Sequence, residues 1–325
     1  MINETKEKAL EREIKFDQAF ELVKNEVDRA LSASPHIVRK YTKHLASSMG
    51  KFIRAVSLLT CSEDRDGLIP PDAIKFAAAI ELLHLATLVH DDVIDNADLR
   101  RGEITLQKKY GKRTAVICGD YLLCMAVNLA ASVPNKQDYL DLEMPDYMSR
   151  VCLGELNQHI NNGNFDLSVL QYLKIISGKT AALFEASFYG GALLSEKNPD
   201  MLKKYAKIGK YVGMIFQLTD DCMDFETTEQ VAKKPVQSDY EQNVITLPLI
   251  HAFREKDEFK QKAKNGIITR DEINDTVLST GGLKFTRMVA KKYYEKTLKL
   301  IESLDAAAGK KSNLKSILDK AYRVF

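Results

Sequence analysis

Six aspartates lie in two short motifs whose spacing could bind a divalent cation. Both motifs have the form DDxxD, and they comprise Asp91, Asp92 and Asp95, and Asp220, Asp221 and Asp224. Because an α-helix has about 3.6 residues per turn, the first and last aspartates of each motif share one face. Carboxylates after an apolar helix are costly without a cation, and their hard oxygens favour Mg²⁺ shared with phosphate. One such motif could equally be a solvated helix end, but two in similar settings predict a metal site.

Basic residues near these motifs could hold phosphate groups. Lys51 and Arg54 are three residues apart in the first turn of a predicted helix, where N–H groups and the helix dipole already favour an anion. Further candidates are Arg100, Arg101, Lys179, Thr180, Lys233 and Lys234. Each alone is more often a surface residue. Together with two metal motifs, they predict a site for two polyphosphate groups.

Other polar residues share the faces of the two motifs. His84 lies two turns before the first motif, and contact with phosphate or substrate is predicted for it. Gln217 precedes the second motif by three residues. Glu155 and Gln158 could line the same cavity or hydrogen-bond between helices, and the sequence leaves both alternatives open.

The elements that must position these residues are helices. Apolar residues recur at helical spacing and no βαβ alternation is present, which predicts an all-α fold. Residues 227–243 are polar and poorly periodic, and a mobile loop that could act as a lid is predicted there. No linker divides the chain, so residues 1–325 are predicted to form a single domain. The predicted helices span 4–31, 71–95, 113–131, 147–162, 168–195 and 199–224, with more from 244 onward, broken at 265–266 and 281–282.

The amino-acid composition argues against several classes of protein. The 325 residues include 47 Lys and Arg against 45 Asp and Glu, a balance that argues against nucleic-acid binding. Five cysteines form no CxxC pair, so neither a disulfide framework nor a zinc ribbon is expected. The charged N-terminus lacks the apolar segment of a signal peptide, and no apolar stretch reaches the roughly 20 residues of a membrane span. A cytoplasmic protein without a transmembrane segment is predicted.

The order of motifs resembles that of trans-type isoprenyl (polyprenyl) diphosphate synthases, most closely the medium- and long-chain ones, over roughly residues 20 to 322. The matching stretches are GKFIR (50–54), ELLHLATLVHDDVID with RRG (81–102), GDYLL (119–123), GELNQ (154–158), ISGKTAALF (176–184), FQLTDDCMDF (216–225), KKPVQSD (233–239) and ITLPLI (245–250). The resemblance implies helices around a central active-site cavity, usually in a homodimer. It also implies Mg²⁺-dependent transfer of an allylic prenyl group onto isopentenyl diphosphate.

The resemblance also implies roles for individual residues. The direct Mg²⁺ ligands would be Asp91, Asp95 and Asp220, supported by Asp92, Asp221 and Asp224. The allylic diphosphate would be held by Arg100, Lys179 and Lys234, and isopentenyl diphosphate by Lys51, Arg54, His84 and Arg101. Thr180 and Gln217 would lie beside the forming carbocation. Asp239 would support the third of three Mg²⁺ ions.

Departures from the family pattern bear on product and partner. Ala86 and Thr87 occupy positions where bulky residues stop chain growth early, so a linear all-trans product longer than fifteen carbons is expected; Met125 and Leu129 are alternative floor residues. Gln237 and Val244 stand where glycine and lysine are common, and Ala55 replaces a frequent proline. The missing lysine leaves open weaker binding or dependence on a partner.

Three alternatives compete with a chain-elongating prenyltransferase that docks at the membrane for product release. The first is the catalytic subunit of a two-component synthase, which would form a hetero-oligomer. The second is a terpene cyclase, which is disfavoured by Lys51, Arg54 and the complete second DDxxD motif. The third is a helical metal-binding scaffold without chemistry, which leaves the basic residues unexplained.

Overall fold

The computed structural model describes residues 14–46, 50–133, 146–226 and 243–323. Within these ranges the chain forms fifteen helices and one two-stranded antiparallel sheet, which confirms the predicted all-α class. The described residues divide into two compact units. The first unit is drawn from Met1–Pro145, Ala186–Ala206 and Leu304–Lys315, and the second from Asp146–Glu185, Lys207–Ser303 and Ser316–Phe325. The single-domain organisation stays a prediction.

The helices up to residue 131 carry the first motif. They are α1 Phe16–Ser32, α2 His36–Ala46, α3 Ile53–Ser62, α4 Pro71–Ile94, α5 Leu106–Tyr110 and α6 Lys112–Ala131, with strands β1 Leu99–Arg100 and β2 Glu103–Ile104 between α4 and α5. Helix α1 buries apolar residues every four positions, and α4 begins with Pro71, whose missing N–H is harmless in a first turn. Helices α4 and α6 pack along each other.

The helices after residue 146 carry the second motif. They are α7 Tyr147–Asn161, α8 Val169–Lys179, α9 Ala181–Leu193, α10 Pro199–Glu226, α11 Leu247–Glu255, α12 Asp257–Lys264, α13 Arg270–Ser279, α14 Gly282–Glu302 and α15 Ala308–Tyr322. Apolar side chains of α8, α10, α11, α13 and α14 form the core of the second unit.

Several predicted boundaries were wrong. The helix expected over 168–195 is divided at Thr180 into α8 and α9. A further break at Lys256 separates α11 from α12, because its backbone is extended and two acids, Asp257 and Glu258, favour a new helix start. A third break lies between α14 and α15. The β1–β2 hairpin was not predicted. The predicted loop lies outside the described residues except at position 243.

Two described helices, α4 and α6, are long and apolar enough to cross a membrane by length and composition alone. This is weak evidence, since core helices of soluble proteins pass the same test. The expected absence of a transmembrane segment therefore stays a prediction.

Candidate active site

The first carboxylate motif lies where α4 ends. Asp91 and Asp92 belong to the last turn, and the N–H of Asp95 closes the helix on the Asp91 carbonyl at 2.8 Å. Asp92 is buried, and its Oδ1 accepts a hydrogen bond from Arg100 Nε at 2.7 Å. Burial raises the pKa of the Asp92 carboxyl, while the Arg100 charge opposes that rise. Asp92 therefore anchors the neighbouring hairpin to the end of α4.

The hairpin positions two arginines. Arg100 pairs with Glu103 across the strands, and the two-residue turn between them consists of Arg101 at φ 54° and Gly102 at φ 84°. Positive φ at both turn residues is the geometry that joins antiparallel strands most tightly. It holds Arg101 on a backbone that non-glycine residues seldom adopt.

Arg101 belongs to a cluster of basic side chains in the first unit, together with Arg54 and His84. Arg54 is buried at 8% exposure, and burial lowers its pKa to about 10, with Arg101 acting in the same direction. Burial and the nearby arginines hold the pKa of His84 well below its usual value. His84 is therefore neutral near pH 7 and can offer hydrogen bonds but no charge to a phosphate. Lys51 is exposed just before α3.

The expected anion site at the N-terminus of α3 is filled from within the protein. Glu81 of α4 accepts a hydrogen bond from the Ala55 N–H at 2.9 Å through Oε1. The Ala55 N–H is therefore satisfied by a protein carboxylate, and phosphate binding at Lys51 and Arg54 stays a prediction. The sequence could have indicated Glu81 as a site residue, because it precedes His84 by three residues and lies on the same helix face.

The second carboxylate motif lies inside α10, which continues to Glu226. Asp221 is almost fully buried and accepts hydrogen bonds from the Tyr172 hydroxyl and from Gln217 Nε2, the latter at 2.8 Å. Thr180 Oγ1 in turn donates to Gln217 Oε1 at 2.7 Å. The network joins Thr180 and Gln217, whose shared role at a carbocation stays a prediction, and it ties the Asp221 oxygens to protein donors. Tyr172 gave no signal in the sequence.

Lys179 is positioned by a close crossing of α7 and α8. A Cβ on Gly154 would lie 2.1 Å from the Lys179 backbone nitrogen, so no larger residue fits there. The approach brings Lys179 Nζ to 2.9 Å from Glu155 Oε2. Glu155 therefore makes an ion pair between helices, the second of its two predicted alternatives, and it does so with a predicted site residue.

The end of the described chain also contributes to the second motif. Arg323 follows α15, and its Nη1 lies 3.2 Å from Asp220 Oδ1. The guanidinium stacks over the Phe216 ring at 4.9 Å. Arg323 was not predicted, because nothing near it in the chain resembles a site motif.

The remaining predicted residues are placed as follows. Ala86 is buried in the core of the first unit, and Thr87 turns its hydroxyl to the His84 carbonyl at 2.8 Å. Met125 and Leu129 of α6 pack against the same core. Asp224 is buried within α10. Lys234 and Asp239 lie outside the described residues.

The carboxylates of the first motif suit a cation that takes most of its ligands from water and substrate. Among the described residues, no group of three or more His, Cys, Asp or Glu side chains could hold a metal by itself. Mg²⁺ usually binds through one or two carboxylates, keeping waters and substrate phosphates as its other ligands. The donor set of Asp91 and Asp95, spaced i, i+4, fits that pattern.

Comparison with known proteins places this geometry in a family. The family model of polyprenyl synthetases matches residues 35–279. Heptaprenyl diphosphate synthase component 2 from Geobacillus stearothermophilus is 34% identical, covering 87% of this chain and 88% of the relative. Its Bacillus subtilis counterpart is 30% identical, covering 92% and 88%. The crystal structure of heptaprenyl diphosphate synthase from Staphylococcus aureus is 31% identical, with a TM-score of 0.86 over 96% of this chain and 99% of that one.

The chain thus belongs to the polyprenyl synthetase family. It is a prenyltransferase of the trans-polyprenyl diphosphate synthase class, which confirms the activity expected from the motifs.

Proposed function

We propose that this chain extends an allylic prenyl diphosphate with isopentenyl diphosphate to a linear product longer than fifteen carbons. The observation that supports this most directly is the pair Arg54 and Arg101, which lies next to the first carboxylate motif in one compact unit. Guanidinium groups bind phosphate oxygens in a bidentate way, and carboxylates beside them supply metal ligands.

The polyprenyl synthetase family is Mg²⁺-dependent, and three ions per site are proposed here. Asp91, Asp95 and Asp220 would hold them, with Asp239 supporting the third. The bound ions would stabilise the charge on the departing diphosphate. Asp92, Asp221 and Asp224 support these carboxylates from buried positions.

The protein's own groups orient the reactants. Lys179, Arg100 and Lys234 would hold the allylic diphosphate, while Lys51, Arg54, His84 and Arg101 would hold isopentenyl diphosphate. Fixing both anchors converts the encounter of alkene and cation into an oriented step. The Thr180 and Gln217 oxygens would face the developing cation, and Asp221 fixes the direction of the Gln217 amide. The released diphosphate can accept the final proton, so no dedicated base is required.

The test of activity is an incubation of the purified chain with Mg²⁺, isopentenyl diphosphate and allylic starters of several lengths. Linear polyprenyl diphosphates longer than C15 are expected by chromatography and mass spectrometry. Cyclic hydrocarbons, or no product under any condition, would contradict the proposal.

Product length is tested at Ala86. Changing Ala86→Phe should shorten the main product, because Ala86 lies five residues before Asp91, where a bulky side chain is expected to stop chain growth. Ala86→Ser, which keeps the residue small, is the matched control. An unchanged chain-length distribution in Ala86→Phe would contradict the assignment.

A partner subunit is a second proposal, supported by the relatives that are component 2 of a heptaprenyl diphosphate synthase. The complete set of aspartates would make this chain the catalytic half. If so, product forms only after a second protein is added to the incubation. Product formation by the chain alone contradicts it.

We further propose a homodimer, in which α6 contributes an apolar contact surface. Val116, Ile117 and Val127 are exposed along one side of this helix, although apolar groups of this size usually face the interior. Ile117→Asp should convert a dimer to a monomer in sedimentation analysis. Ile37→Asp, at a solitary exposed position on α2, should not. A monomeric wild-type chain would contradict this proposal.

A cytoplasmic location with docking at the membrane for product release is also proposed. Cell fractionation should recover the chain in the soluble fraction and, with product present, partly on membranes. A chain that resists extraction by salt and alkali would be an integral membrane protein instead.

A further inference from the structure

The N-terminus of α3 holds a carboxylate supplied by the neighbouring helix. Glu81 of α4 is half-buried and accepts a hydrogen bond from the backbone N–H of Ala55 at 2.9 Å. The backbone N–H of Arg54 is directed at the same carboxylate. First-turn N–H groups lack partners within their own helix, and the helix dipole favours a negative charge beside them. The position of the Glu81 carboxylate is therefore fixed by backbone groups as well as by side chains.

The same carboxylate also interacts with the basic cluster. Glu81 interacts electrostatically with Arg54 and with Arg101, which repel each other. The Arg101 guanidinium also lies against Gly50, where an added Cβ would come within 2.8 Å of its terminal nitrogens. A single acid thus attracts two like charges, which the proposed function assigns to one diphosphate.

This arrangement depends on a residue in which the chain departs from its family pattern. Ala55 stands where proline is frequent, and proline has no N–H to donate. The hydrogen bond from Ala55 to Glu81 is therefore available to this chain because of that substitution.

We propose that Glu81 is a positioning residue for isopentenyl diphosphate. Tied to the first turn of α3, its carboxylate holds Arg54 and Arg101 at the separation that binds the diphosphate. Glu81 itself does not touch the substrate. This inference rests on the proposed function, because it assigns the two arginines to isopentenyl diphosphate.

The test compares Glu81→Gln with Glu63→Gln. Glu63 is a buried acid just beyond the other end of α3, where it contacts Asn313, and it serves as the matched control. Calorimetric titration with Mg²⁺ and isopentenyl diphosphate alone measures binding without turnover. In Glu81→Gln we expect about tenfold weaker binding and a matching rise in KM for isopentenyl diphosphate, with kcat and the allylic KM within twofold. Glu63→Gln should leave the binding and the KM of both substrates unchanged.

A second variant covers the case in which Glu81→Gln does not fold. Ala55→Pro removes the N–H bond and keeps every charge, and proline is tolerated in a first helical turn. About threefold weaker binding of isopentenyl diphosphate is expected. The proposal is overturned if Glu81→Gln leaves binding unchanged or weakens both substrates equally. If Glu81→Gln is unfolded, unchanged binding of isopentenyl diphosphate in Ala55→Pro overturns it. A wild-type chain that binds isopentenyl diphosphate and makes no product contradicts the proposed function alone.

Discussion

The two DDxxD motifs share one spacing, yet their middle carboxylates are held in different ways. Asp92 is paired with a cation, Arg100, whereas Asp221 accepts hydrogen bonds from the neutral side chains of Tyr172 and Gln217. The same DDxxD spacing therefore places an arginine beside the middle carboxylate in one unit and the neutral donors Tyr172 and Gln217 beside it in the other. A charged partner makes the first anchor sensitive to pH and salt, while neutral donors make the second depend on local geometry.

The positions before the motifs also differ. Four and five residues ahead of the first aspartate lie Thr87 and Ala86 on α4, but Phe216 and Ile215 on α10. Ala86 is nevertheless buried in the core of the first unit, and Ile215 is fully buried as well. The effect of these residues on product length stays a prediction.

The largest effect is expected at the outer aspartates, where the motifs should behave alike. Asp91→Asn and Asp220→Asn should each lower kcat/KM by about 10²-fold or more, because each removes a charged metal ligand. Asp98→Asn, an exposed acid paired with Lys108, is the control and should stay within twofold. A tenfold difference between the two losses would show that the motifs are not equivalent in catalysis.

The next largest effect is expected at Arg100, the charged partner that distinguishes Asp92 from Asp221. Arg100→Leu leaves Asp92 buried beside no guanidinium, and we expect a loss of about 2 kcal/mol of unfolding free energy, reduced from the fully buried case by partial exposure. Since a raised carboxyl pKa makes the folded state bind protons more readily, the deficit should shrink as pH falls. Urea unfolding at two pH values measures it. Adding Asp92→Asn should restore stability, and failure to do so would contradict the pairing.

A smaller loss is expected at the neutral anchor. Tyr172→Phe removes one donor from a buried carboxylate and should cost about 1–2 kcal/mol, with little dependence on salt. Tyr294→Phe, whose hydroxyl bonds the exposed Asp319, is the matched control and should cost less than about 0.5 kcal/mol. Urea unfolding in low and high salt checks both. A salt-dependent loss in Tyr172→Phe would remove the contrast with Asp92.

The last effect, which appears only at acidic pH, is expected at His84 in the first unit. Its folded pKa is depressed, so the unfolded chain binds a proton that the folded chain does not, and stability should fall as pH drops below about 6.5. Between pH 7 and 5 wild type should lose roughly 1–2 kcal/mol more than His84→Gln. Thermal melts follow this difference, with His36→Gln as the exposed control. Equal pH profiles for wild type and His84→Gln would contradict the depressed pKa.

Helical periodicity and proline positions were enough to locate most helices, because an amphipathic helix records its buried face in the sequence. Pro71 and Pro199 marked the starts of α4 and α10, and both helices extend close to their expected ends. The break at Thr180 was not predicted, and the hydrogen bond from its hydroxyl to Gln217 of another helix cannot be read from the local sequence. The β1–β2 hairpin was not predicted, because strands of two residues show no periodicity in the sequence.

By itself the sequence determined the all-α class, the family and the residue types of the site, because these depend on local spacing and on motifs that read directly from the chain. Only the tertiary structure decided which partner each charged group has. Glu81 at α3, Tyr172 at Asp221 and Arg323 at Asp220 are joined by packing between segments 26 to 103 residues apart. Burial and contact across such separations fix the electrostatics of a site, and neither follows from the local order of residues.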